Sequence, residues 1–350
     1  MKRLYGLDVF RFIAAFSVIF FHYCFLGVIE GYYNSSVFNE VFFWGYFGVD
    51  IFFILSGFVI LISTEKKNSG ISFFLSRLKR IYPILILCSF VTMGTGLILG
   101  GDLKPMLPKF FNSLTFMSDF WNGELLTAVH WTLMVEIRFY ILVAIVKQTK
   151  LWDKHKYKIL LSWILFAIAN KYMIHNDLLD KIFELQYSFH FVAGILLYLF
   201  FVKKEKAYEM LPIFALSIAM IFSRMSGYLS FIKDYKYAKL SFTNFDVLFF
   251  IILILAIFTY LTHTDKYLIS KKFSITLGAL SYPIFLLHGD FGFFIKREIF
   301  LNLSQKHAIF RCEPFIVVIE LICVLILAYL ILLISEKMLS LFKKKSSGGN

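Results

Sequence analysis

The chain has 350 residues, of which 59% are hydrophobic and 17% charged, with 44 phenylalanines and a mean hydropathy of +0.74. A soluble domain carries about 45–50% apolar and about 25% charged residues, so a single soluble core is excluded and a bilayer is the natural solvent. The net charge of +13 does not signal a nucleic-acid partner: the basic residues stand in short clusters between apolar runs, as membrane-flanking charges do, with no zinc-finger, basic-zipper or RNA-binding pattern beside them.

Ten apolar segments are long enough, or nearly so, to span at about 20 residues per crossing. They run roughly 5–28, 42–63, 81–100, 130–147, 159–175, 186–202, 209–223, 244–262, 274–296 and 314–336. The expected fold is an all-α, polytopic integral membrane helical bundle of about ten transmembrane helices. The first segment carries Asp8, Arg11 and His22 and lacks a small-residue cleavage site, so it reads as a retained helix rather than a signal peptide. Ten crossings put both termini on one side. The N-terminus, the loops 64–80, 147–158, 203–206 and 263–272 and the tail hold nearly twice the Lys and Arg of the opposite loops, which places both termini in the cytoplasm. Residues 1–336 then form one transmembrane domain, and 337–350 a basic, Ser/Gly-rich tail expected to fray.

The longest outer loop, 101–129, holds Pro105, Pro108, Trp121 and Gly123; a substrate-facing lid and a plain solvated loop are equal readings. Cys24, Cys88, Cys312 and Cys323 have no metal-ligand spacing and read as small hydrophobes, so no metal is expected. No repeat of solenoid period occurs.

The informative residues are the charged and titratable ones at membrane depth, since each costs several kcal/mol there and is retained for a reason: Asp8, Arg11, His22, Asp50, Glu136, Arg138 and His288. Arg11 and His22 are eleven residues apart, about three helical turns plus 20°, so they project from one helix face with a Cα separation of about 16 Å. That suits an extended donor with phosphates at the inner end, where Arg offers a permanently charged fork, and a reactive carbon near His22, a base that titrates close to neutrality. The pantetheine arm of coenzyme A has this reach. Asp8, one turn before Arg11, shares its face as an orienting group. The bland alternatives are a packed histidine and an arginine that snorkels to the interface.

Counting depth from segment ends puts His22, Asp50, Glu136 and His288 in one layer of the outer half of the bilayer. That layer is either a polar pocket around a catalytic histidine or a set of structural ion pairs, such as Glu136 with Arg138. Arg77 and Arg80, spaced i, i+3 in Arg77-Leu78-Lys79-Arg80-Ile81-Tyr82-Pro83, abut the third span on its cytoplasmic side. They suit the nucleotide phosphates of a donor entering from the cytosol, or simply set topology.

These residues resemble the membrane acyltransferase-3 family. The resemblance rests on Leu7-Asp8-Val9-Phe10-Arg11 with His22 completing Arg-x10-His; on Gly48-Val49-Asp50 running on to Phe58; on Arg77-x-x-Arg80-Ile81-Tyr82-Pro83; on His130-Trp131-Thr132-Leu133-Met134-Val135-Glu136 with Phe139-Tyr140; and on Leu280-Ser281-Tyr282-Pro283 ending at His288. The five segments fall in family order from the first to the ninth span. Thr132 stands where Ser is common, and Arg138 is an unusual charge beside Glu136. The resemblance implies about ten transmembrane helices, an acyl-CoA donor and a sugar hydroxyl acceptor in O-antigen, capsule, exopolysaccharide or Nod-factor sugars. It also implies essential roles for Arg11 and His22 and carries the second arginine motif onto Arg77 and Arg80. Some members add a C-terminal hydrolase-like domain; this chain is similar to the stand-alone type.

The expected function is therefore transfer of an acyl group, by default acetyl, from cytoplasmic acetyl-CoA or another acyl-CoA to a glycan or lipid-linked sugar at the inner (plasma) membrane. His22, Asp50 and Glu136 are the catalytic candidates, with Asp50 or Glu136 fixing the His22 tautomer. Arg11, Arg77, Arg80 and Tyr82 are candidates for holding the donor, and Trp131, Tyr282 and His288 for the acceptor. Tyr82 or Tyr282 is a candidate oxyanion donor. Direct attack by the sugar and a covalent acyl-histidine both remain open. The rival is a multi-span transporter or flippase, although the two hydropathy-related halves common in such proteins are not evident. A non-catalytic scaffold leaves Arg11 with His22 unexplained. The oligomeric state is not legible.

Overall fold

The computed structural model describes residues 3–235, 240–263, 269–296, 305–307, 309 and 312–347. Among these the protein is all-α, with no strand. Helix α1 (Tyr5–Phe21) passes into a π turn (His22–Leu26) and a last turn at Gly27–Ile29. A 3₁₀ stretch (Glu40–Phe47) leads into α2 (Gly48–Glu65). Then follow α3 (Gly70–Ile98), α4 (Leu103–Thr115), α5 (Trp131–Thr149), α6 (Trp152–Ala169) and α7 (Asp177–Phe183). The remainder is α8 (Ser188–Phe201), α9 (Ala207–Asp234), α10 (Asn244–His263), α11 (Lys271–Leu287), α12 (Asp290–Phe294) and α13 (Glu313–Ser347).

Nine helical stretches among the described residues, from Tyr5–Ile29 to Glu313–Leu341, are long and apolar enough to cross a membrane. The protein is thus a multi-pass membrane protein. The predicted segment 274–296 is divided: α11 stops at Leu287 and α12 starts at Asp290, because Gly289, with ψ near −95°, leaves the helical region. Hydropathy cannot register such a break, since both halves are apolar. Three other boundaries differ from the sequence reading. The arginine motif Arg77-x-x-Arg80 lies inside α3, which begins at Gly70 rather than near residue 81. The loop 101–129 is largely ordered: Asp102 caps α4 by accepting from the Lys104 N–H, and the Leu126 N–H donates to Ser113 at 2.8 Å. The Lys109 ammonium, hydrogen-bonded to Glu124 at 2.6 Å, holds that exposed carboxyl below its ordinary pKa. The last helix continues past Glu336. Residues 264–268 of the predicted loop 263–272 and the final three of the tail lie outside the described residues.

The chain forms two compact units. The first comprises residues 1–14, 47–77 and 135–274, the second residues 15–46, 78–134 and 275–350. In the first, α2 and α8 pack backbone to backbone. A Cβ placed on Gly57 would run into the Phe191 carbonyl, and one on Gly194 into the Ile54 carbonyl. Such small-residue contacts drive helix association where apolar burial gives no advantage over lipid. Beside them, Phe139 of α5 stacks on Phe191 with centroids 3.8 Å apart. Gly57→Ala is expected to lower stability by about 1–3 kcal/mol through this overpacking, with Gly227→Ala, which meets open space, near neutral; denaturant titration in detergent micelles checks both. In the second unit, Gly45 lies against the Ser17 carbonyl, and Phe20 stacks on Phe42 at 4.9 Å.

Candidate active site

His22 opens the π turn: the Gly27 N–H reaches back five residues to the His22 carbonyl. This wider turn is a local insertion that often accompanies functional residues. The half-buried imidazole has two partners in its own unit, both on Nδ1: the Val18 carbonyl at 2.9 Å and Nε2 of His288 at 3.2 Å. The His288 ring is fully buried, with its Nδ1 2.7 Å from the Phe285 carbonyl.

Those two carbonyls settle the protons. A carbonyl only accepts, so the ring nitrogen facing it carries hydrogen. His288 is therefore protonated on Nδ1 and offers a lone pair at Nε2. The Nδ1–H of His22 is shared between Val18 and His288. Nε2 of His22 is left with an unshared pair, the arrangement of a general base whose second nitrogen is oriented by a hydrogen bond. The Tyr23 hydroxyl donates to the His288 carbonyl at 2.7 Å and fixes the backbone at the end of α11. The partner that sets the His22 tautomer is thus His288, expected among acceptor-binding groups, together with a backbone carbonyl. Asp50 and Glu136, expected in that role, have other partners in the first unit.

Asp50 is buried near the start of α2. Its Oδ1 lies 2.6 Å from Nε2 of His190 and accepts from Nη1 of Arg224 at 2.6 Å. Arg224 also donates to the Tyr187 hydroxyl at 3.1 Å and stacks over that ring at 4.7 Å. Glu136 of α5 accepts from Ser56 at 2.9 Å and from the Tyr140 hydroxyl one turn on. The Arg77 guanidinium lies buried over the Tyr140 and Phe73 rings, at 5.4 and 5.7 Å. Arg11 is close enough to Tyr140 to act on it electrostatically. A second constellation therefore gathers Arg11, Arg77, Glu136, Ser56 and Tyr140. Among the described residues Arg11 has no ion-pair partner: Asp8, expected to orient it, pairs with Arg3 at 2.7 Å. Arg138 pairs with Glu184 at 2.6 Å, not with Glu136.

Of the remaining candidates, Arg80 is exposed on α3, and Trp131 at the start of α5 and Tyr282 on α11 are half-buried. Tyr82 donates to the Leu114 carbonyl at 2.8 Å and meets Phe116 edge-on, so its hydroxyl is already engaged. No group of three or more His, Cys, Asp or Glu able to hold a metal occurs among the described residues. Sequence reasoning missed His190, Arg224, Ser56 and Tyr187. His190 had a signal, being a histidine inside an apolar run like His22.

The family model described as an acyltransferase domain, that of the acyltransferase-3 family, matches residues 4–336. The chain belongs to the acyltransferase-3 family. Its residues 4–336 thus form an acyltransferase domain set in a multi-pass membrane fold. Among curated proteins the chain is similar to "Putative O-acetyltransferase SACOL0978" of Staphylococcus aureus (strain COL), at 28% identity over 178 residues, 45% of this chain and 27% of that protein. It is also similar to "Nodulation protein 10" of Rhizobium leguminosarum bv. viciae, at 28% identity over 198 residues, 48% of this chain and 53% of that protein. The match spans about a quarter of the staphylococcal relative and about half of the rhizobial one. No solved structure matches the chain.

Proposed function

We propose that this acyltransferase moves an acyl group, by default acetyl, from cytoplasmic acyl-CoA to a hydroxyl of a cell-surface or lipid-linked glycan, at the inner (plasma) membrane and with both termini cytoplasmic. One observation carries the reading: Nδ1 of His22 is tied to Val18 and His288, which leaves Nε2 as a base in an acyltransferase domain. The excess of Lys and Arg on one set of loops supports the orientation. The O-acetyltransferase name of the staphylococcal relative supports acetyl.

In this mechanism Nε2 of His22 takes the proton of the sugar hydroxyl as the oxygen attacks the thioester carbonyl. The tetrahedral intermediate expels CoA thiolate, which recovers that proton from the imidazolium. His288 accepts from the Nδ1–H throughout, and so favours the charged ring as it forms. Arg11, Arg77 and Arg80 are assigned as the cations for the donor phosphates. Tyr82 is engaged elsewhere, so Tyr282 is the phenol assigned to the oxyanion, with Trp131 on the acceptor side. Asp50 is assigned to holding α2, and Glu136 to the cationic constellation beside Arg11.

The test is a transfer assay with purified protein in lipid nanodiscs, radiolabelled acetyl-CoA and a panel of lipid-linked and soluble glycans. Label is expected on glycan only when both substrates are present. Movement of unmodified glycan across vesicles with no label transfer would overturn this reading in favour of a flippase. Labelled protein trapped by rapid acid quench without acceptor would replace direct attack by an acyl-histidine route.

A further inference from the structure

In the first unit, α2, α5, α6 and α8 line a half-open cavity of about 1010 Å³ that no step of the proposed reaction uses. Pockets for drug-sized ligands run to about 1,000 Å³, so this one has room for a large ligand. Its two ends differ in chemistry. One end is lined by Phe139, Trp163, Phe166 and Phe183. The other is a rim of Lys147, Lys150, Lys156 and Lys203 with Glu65, Asp153 and Glu205. From Lys156 to Phe166 is ten residues of α6, about 15 Å at the helical rise. The cavity therefore runs from a charged mouth to an aromatic floor about half a bilayer leaflet-pair deep.

The mouth is made of the helix ends that meet the loops 147–158 and 203–206, both on the lysine-rich side of the topology. Two of its lysines are neutralised within the protein: Lys203 pairs with Glu65 at 2.7 Å and Lys156 with Glu205. Lys147 and Lys150 have no ion-pair partner among the described residues. Set against Asp153, they leave the mouth with one positive charge. That matches a single phosphodiester and is poorly suited to the several phosphates of a coenzyme A donor. Basic pockets between transmembrane helices on the cytoplasmic side bind anionic lipid head groups.

We infer that this cavity binds an anionic phospholipid of the leaflet on the basic-loop side, with acyl chains against Phe139, Trp163, Phe166 and Phe183 and the phosphate on Lys147 and Lys150. The inference does not depend on the proposed acyl transfer, and its test reads no activity. Purified full-length protein, stripped by detergent exchange, is presented with phosphatidylglycerol, phosphatidylcholine or a polyprenyl phosphate, and retained lipid is counted by native mass spectrometry. Phosphatidylglycerol is expected to be retained about tenfold or more over phosphatidylcholine. The preference is expected to vanish in K147Q/K150Q and to persist in K147R/K150R, which separates loss of charge from loss of fold. Equal retention of the two phospholipids by the unaltered protein would overturn the inference, as would an unchanged preference in K147Q/K150Q. Stronger retention of the polyprenyl phosphate would overturn it in favour of a carrier-lipid site.

Discussion

His22→Ala is expected to lower kcat for acyl transfer by at least about a hundredfold, the range in which removal of a general base falls, while KM for acyl-CoA is expected to change little. The donor phosphates are assigned to arginines, so the imidazole contributes to the transition state and not to ground-state binding. The variants of His288 make the claim sharper. Gln at 288 keeps an acceptor near the position of Nε2 and is expected to retain much of the rate. Leu at 288 removes it, frees the His22 ring to rotate or change tautomer, and is expected to lower kcat at unchanged KM. Steady-state kinetics on the three purified variants decides the matter. If His288→Leu matches the unaltered enzyme, His288 does not position His22. A raised KM with normal kcat in His22→Ala would move His22 from catalysis to binding.

Much of this arrangement was legible in the chain because charge at membrane depth is rare and conspicuous. His22 and His288 stood out for that reason, and depth counting put them in one layer; the structure brings them within hydrogen-bond distance. Their relation to each other was not legible. Nothing in the sequence marks the π turn that opens at His22, and nothing pairs residues 266 positions apart. Asp50 is conspicuous in the chain as a carboxylate in an apolar run, and it is buried, but its partner Arg224 is not legible. By hydropathy the apolar run there ends at residue 223, because Ser223 and Arg224 lower the local value, whereas α9 runs on to Asp234. Glu320, in the apolar run of the last span, is the same kind of signal and is absent from the residues read as informative. It is fully buried in α13 and accepts from the Tyr33 hydroxyl at 2.7 Å. The Tyr33 phenol, outside the spans, is pushed well up in pKa by burial and then by the Glu320 charge.

Asp50→Leu is expected to destabilise the first unit by about 3–5 kcal/mol, the cost of stranding a buried charge by removing its counter-ion. One carboxylate oxygen joins three helices: α2 through Asp50, α8 through His190 and α9 through Arg224. Arg224 cannot discharge by losing its proton, and the Tyr187 hydroxyl and ring that it also meets are neutral. Asp50→Asn is expected to cost less, about 1–3 kcal/mol, since an amide oxygen still accepts but carries no charge. The decisive variant is Asp50→Leu combined with His190→Phe and Arg224→Met. If the knot acts by charge pairing, replacing all three members with apolar groups of similar volume recovers most of the stability. Denaturant titration of the protein in micelles, followed by tryptophan fluorescence, measures each step. Full stability in Asp50→Leu alone would show that the carboxylate holds nothing together and would return it to the list of groups free to serve the reaction.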